Sequence, residues 1–106
     1  MTTILGFFAC AAAGAVEAIA ADLRVLMVHG LAAGIPVIVG SAGTSGTDSG
    51  VDWVSGIVET IAREEGLDVT LARIYSEIAP DTVKQRLAAG AVGALAPSAP
   101  LTAELV

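Results

Sequence analysis

The spacing of apolar positions changes along the chain, and each change marks an element. From about Ala12 to Leu31, the residues Val16, Ile19, Leu23, Leu26 and Gly30 recur at helical spacing. Val25 and Val28 fall on other sides of the same helix, and its polar residues are few: Glu17, Asp22, Arg24 and His29. A helix that is apolar on several sides is usually covered on several sides. Gly34 is expected to end it in the left-handed conformation.

Ile35-Pro36-Val37-Ile38-Val39 then reads as a short strand, apolar on both faces as in a covered parallel sheet. Pro36 suits a position where no ladder donor is needed. A loop by composition follows, Gly40 to Gly50. Past it, Val51, Val54, Ile57, Val58, Ile61 and Ala62 form one helical stripe, while Asp52, Ser55, Glu59 and Arg63 face away. This second helix, from near Val51 to a stop at Gly66, is one-sided and should lie on the outside of the domain. Asp48 and Ser49 are both suitable N-caps, and Ser49 with Asp52 makes a partial capping box.

Val69 to Tyr75 reads as a second strand. Pro80 opens a short third helix, with Val83 and Leu87 facing inward and Gly90 closing it. Residues 96–106, with Pro97 and Pro100, read as a connector. The expected fold is therefore α/β, a helix–strand–helix–strand–helix fragment of a parallel, Rossmann-like layered sheet. Two strands are too few for a stable sheet. The whole of 1–106 is expected to be a single incomplete domain, part of a longer chain or completed by a partner.

Composition strengthens that expectation. Hydrophobic residues make up 55% and charged residues 15%, against roughly 45–50% and about 25% in average soluble domains. Surplus apolar surface needs a partner. The net charge is −6, and the basic residues Arg24, Arg63, Arg73, Lys84 and Arg86 are scattered. Nucleic-acid binding is not expected. The single cysteine, Cys10, rules out an internal disulfide and is read as buried and inert. With one histidine, His29, no zinc site of Cys and His alone is possible, and no metal site is assigned. His29 and Trp53 are read as helix residues, Trp53 packing at an edge or walling a pocket.

Ile4 to Ala21 is apolar and small, and the run before Cys10 faintly resembles a lipoprotein cleavage site. No Lys or Arg precedes Arg24, however, and Glu17 and Asp22 interrupt the run. A membrane is not the expected partner. An exported or lipid-anchored protein is the outlying alternative.

In open α/β sheets, ligands bind outside the carboxyl ends of the strands. Two segments meet that description, the Gly40–Gly50 loop and Tyr75-Ser76-Glu77. The candidate ligand-binding residues are Gly40, Ser41, Gly43, Thr44, Gly46, Asp48, Tyr75, Ser76 and Glu77. Glycines let a backbone approach a ligand, and Ser41, Thr44, Ser45, Thr47 and Ser49 add hydroxyls. Gly43 is expected to serve that approach, so Gly43→Val should harm binding more than folding. The loop is neither a P-loop nor a dinucleotide fingerprint. Asp48 places a carboxylate at the helix start. It can accept from a ligand hydroxyl or amine, bind a metal, or act as a cap only. Glu77 fits general acid/base work if buried, or a solvated turn if not. Catalytic residues and cofactors are not assigned, and an enzymatic role is left open.

Gly34 to Gly43, then Asp48, Asp52-Trp53, Ile61 to Leu67, Ile74 to Glu77 and Pro100-Leu101-Thr102 resemble the N-terminal region of the acyclic terpene utilization (AtuA-like) family. The resemblance covers about Ala15 to Val106. Thr44 and Thr47 stand where many relatives have glycine. Members are several times longer and carry an Asp/Gly/Ser/Thr/Pro-rich segment ahead of the matching region. The resemblance implies a fragment of, or a short homologue to, such a protein. It also implies a cytoplasmic role linked to acyclic terpenoid or acyl catabolism. The expected function is binding a small oxygen-rich metabolite, an acyl or carboxylate compound. A rival of another class is a small non-catalytic subunit that completes its sheet with a partner chain or another copy.

Overall fold

The computed structural model describes residues 4–7 and 15–106, with side chains described from residue 16 onward. The order is β1 (Ile4–Phe7), α1 (Ala15–Ala32), β2 (Val37–Gly40), α2 (Asp48–Glu65) and α3 (Pro80–Ala88). The chain divides into two compact units, Met1–Ser76 and Glu77–Val106. Cys10 and the start expected for the first helix lie outside the described residues.

The first unit is built on the packing of α1 against α2. Leu23, Met27, Val54, Val58 and Ile61 are its buried core, and Val39, Ala42, Leu67 and Val69 pack against it. Leu23, Met27 and Gly30 share one face of α1 at spacings of four and three, so one stripe enters the core. Val25 lies off that stripe and is 58% exposed. On α2 the buried stripe takes in Ser55, 5% exposed, which the polar pattern assigns to the outer face. Ser55 neighbours both Val54 and Val58, and an apolar stripe wider than about 100° reaches it. Arg24 forks onto Glu64, at 2.5 Å, and Glu65, tying the exposed sides of the two helices.

Each helix ends at a glycine that reverses the chain. Gly34, Gly66 and Gly90 have φ of 65°, 62° and 69°. Behind each, an amide reaches back five residues: Ile35 to Gly30, Leu67 to Ala62 and Ala91 to Arg86. This bond satisfies carbonyls that the helix itself leaves open.

The layered sheet does not form. From Ala15 onward the described chain has three helices and a single strand, and no layered sheet or barrel results. The one pairing of that strand is a four-residue parallel match with β1, Ile4 opposite Val37 through Phe7 opposite Gly40. Val69 to Tyr75, read from the sequence as the second strand, is not one. A run becomes a strand only if another backbone edge takes its N–H and C=O groups. None does among the described residues, where no backbone bond joins this run to β2.

The second unit holds α3. Pro80 sits in its first turn, no side chain caps it, and none of its residues is buried. Val83 and Leu87 are its half-buried positions. Residues 96–106 carry no helix or strand. Among the described residues, no helix is long and apolar enough to cross a membrane.

Candidate functional site

The loop from Gly40 to Gly50 is bent by left-handed residues. Ser41, Gly43, Thr44 and Gly46 have φ of 51°, 74°, 71° and 70°. Glycine takes this conformation freely, but a side chain costs about 1–2 kcal/mol there. Thr44 is also β-branched, which makes its conformation a true outlier. Local bonds hold it. Its amide donates to Ser41 O at 2.8 Å and its hydroxyl to Gly43 O at 2.6 Å.

The helix start differs from the sequence expectation. The N-cap is Thr47, in extended conformation, whose hydroxyl accepts from the Gly50 amide at 3.2 Å. Asp48 and Ser49 are the first helical residues, not caps, because α2 begins one turn earlier than Val51. Asp48 is exposed and places its carboxylate in the first turn, where the helix dipole favours it. Ser45, Thr47 and Ser49 form a hydroxyl chain at 3.0 and 3.1 Å. Four of the five loop hydroxyls thus serve the loop itself, Thr44, Ser45, Thr47 and Ser49.

Gly43 has a structural role that the sequence did not disclose. A Cβ there would lie 2.5 Å from Gly50 Cα. The loop folds back onto the first turn of α2 with no room for a side chain. Gly43→Val therefore strikes folding directly and cannot separate binding from stability, contrary to the sequence expectation.

A groove of about 430 Å³ opens between β2, α2 and the run 69–76. Its floor is apolar, with Leu23, Val39, Val54 and Leu71 among the lining side chains. Ser41, Gly46 and Ser76 line it too, so both candidate segments reach one groove. Gly40 and Thr44 instead line a cavity of about 20 Å³ beside Trp53, room for about one water. Trp53 is 37% exposed and His29 is exposed.

Tyr75 turns toward α2. Its hydroxyl donates to Asp52 Oδ1 at 2.5 Å, and this bond, with some desolvation, raises the phenol above its ordinary pKa. Two residues earlier, Arg73 pairs with Glu59. Sequence reasoning missed both partners. The available signal was spacing: Asp52 and Glu59 lie seven apart on one helix face, and Arg73 and Tyr75 two apart on one side of an extended run. Glu77 opens the second unit and is exposed, so the burial that a general acid/base would need is missing. Among the described residues, no three His, Cys, Asp or Glu side chains gather to hold a metal ion.

No protein-family model, curated protein or solved structure matches the chain.

Proposed function

We propose that the chain is the small-metabolite-binding portion of an AtuA-like cytoplasmic protein concerned with acyclic terpenoid or acyl catabolism. The ligand is an oxygen-bearing acyl or carboxylate compound, held where the Gly40–Gly50 loop borders the groove. One observation carries this reading. Ser41 and Thr44, neither of them glycine, hold left-handed conformations in a loop that lines two cavities. Strain of this kind gathers at ligand sites. Ser41 is also the hydroxyl-bearing loop residue that lines the groove.

Ser41→Gly tests the reading, because it relieves strain and removes the hydroxyl together. Stability should rise by about 1 kcal/mol in denaturant unfolding. Calorimetric affinity for a branched-chain carboxylate, or for its acyl thioester, should fall about tenfold or more in the same variant, as for a lost hydrogen bond to a charged group. Unchanged affinity alongside raised stability would mean that Ser41 is only a badly placed turn residue.

A second reading has its own support. Within the first unit, Ile74 is 83% exposed and Val25 58% exposed, apolar surface of the kind that a partner chain or another copy would cover in a non-catalytic subunit. Sedimentation across a range of protein concentrations separates the two readings. A stable monomer that binds no apolar dye removes the second.

A further inference from the structure

The run Val69–Ser76 is held in an unusual way. Among the described residues, no backbone hydrogen bond fixes it to β2 or α2. Side chains hold it instead. Arg73 pairs with Glu59, and Tyr75 bonds to Asp52 at 2.5 Å. The match is geometric. Seven helical residues span about 10 Å, and two extended residues about 7 Å. Arginine is long enough to make up the difference. The run passes back along α2 from Glu59 toward Asp52, so Ser76 arrives beside the glycine-rich loop.

One end of the run is fixed. Leu67 donates to Ala62 O at 2.8 Å, directly after the left-handed Gly66, and Val69 packs on the core. Beyond that anchor the residues are exposed. The run nevertheless lines the groove, and Ser55 of α2, which lines it too, is only 5% exposed.

We propose that Val69–Ser76 is a hinged strap, held closed against α2 by the Arg73–Glu59 and Tyr75–Asp52 ties, and that breaking these ties opens the groove. The strap pivots at Gly66–Val69. It regulates access to the ligand site of the preceding reading and rests on it for its purpose, but its motion is testable without any ligand. Salt weakens the Arg73 tie, which lies at the surface.

The test reads thiol accessibility in the full chain. Cys10→Ser removes the native thiol, and Ser55→Cys places a probe inside the groove. Ile57→Cys, half-buried on α2 but outside the groove lining and away from the pivot, reports general loosening. Labelling with a maleimide should be slow at position 55. Combining Arg73→Gln with Tyr75→Phe should speed it about five-fold, the size expected from removing two exposed ties. Position 57 should keep its rate, and circular dichroism should show unchanged helix. Raising salt to about 1 M should speed position 55 in the parent and leave the doubly substituted protein unmoved. Equal acceleration at both positions would mean that the whole unit loosens, and no acceleration at 55 would mean a fixed wall. Either result overturns the strap and leaves the ligand reading standing, since that depends on Ser41 and measured affinity.

Discussion

The run after α1 and the run after α2 leave their helices by the same device. In each, a left-handed glycine reverses the chain, Gly34 at φ 65° and Gly66 at φ 62°, and the next amide reaches back 2.8 Å to a carbonyl five residues earlier. Both then continue into apolar, β-branched sequence that reaches the core, through Val39 in the first and through Leu67 and Val69 in the second. The first becomes a strand and the second does not. The acceptor positions differ in one telling way. The carbonyl at the end of α1 belongs to Gly30, where a Cβ would lie 2.7 Å from Val37 Cγ2. The corresponding residue of α2 is Ala62. The first helix is shaved so that a strand can lie close beneath its last turn. The second keeps its methyl group. With β1 supplying a backbone edge as well, β2 has what a strand needs. The later run meets the polar face of a helix, which offers carboxylates and no ladder.

The largest test of that comparison strikes what the two runs share. Ile61 is 1% exposed in the cluster on which both Val39 and Val69 rest. Ile61→Ala should cost about 2–5 kcal/mol in denaturant unfolding. A loss under about 1 kcal/mol would show that the helix pair is not the common floor, and the parallel between the runs would then be superficial.

A smaller test asks whether the exits are equivalent. An added Cβ at Gly34 or Gly66 meets nothing within 4 Å, so only the left-handed conformation resists it. Gly34→Ala and Gly66→Ala should each cost about 1–2 kcal/mol, and the two costs should agree. A clearly larger cost at Gly34 would mean that the turn also sets the register of β2.

These particulars show what was legible in the sequence. The helix stops at Gly34, Gly66 and Gly90 were readable because a glycine after an apolar stripe has one common use. The course of β2 was readable to within a residue or two. Val69 to Tyr75 was misread because strand propensity describes a fit to a half-buried pleated surface, and no local pattern says whether a backbone edge will be present. The loop was recognised from composition, but its cap at Thr47 was not, since Thr47, Asp48 and Ser49 all qualify as caps. The burial of Ser55, the closeness of Gly43 to Gly50 and the role of Asp52 arise from packing between segments. The candidate residues Ser41, Gly46 and Ser76 do meet at one groove, whereas Glu77 belongs to the other unit.

The smallest test concerns the tie that replaces a ladder. Tyr75 is the only tyrosine in the chain, so tyrosinate absorbance reports it alone. The phenol donates to the Asp52 carboxylate, and losing its proton would set two negative charges side by side. Its pKa is therefore raised above the ordinary 10.0, with desolvation and the Asp52 charge adding to the bond and Arg73 opposing it. Asp48 adds a small push in the same direction. The consequence for stability has a definite sign. Between about pH 10 and the raised value, the unfolded phenol has lost its proton while the folded one keeps it, so stability falls as pH rises. The contribution is fully present below about pH 10 and disappears once the folded group also titrates. Asp52→Asn should bring the absorbance midpoint back toward the ordinary value and remove that alkaline slope. Arg73→Gln should move the midpoint further up, since it removes the one opposing charge. If the parent midpoint coincides with that of the Asp52→Asn protein, the hydroxyl does not hold the carboxylate, and Val69–Ser76 is tied to α2 at Arg73 alone.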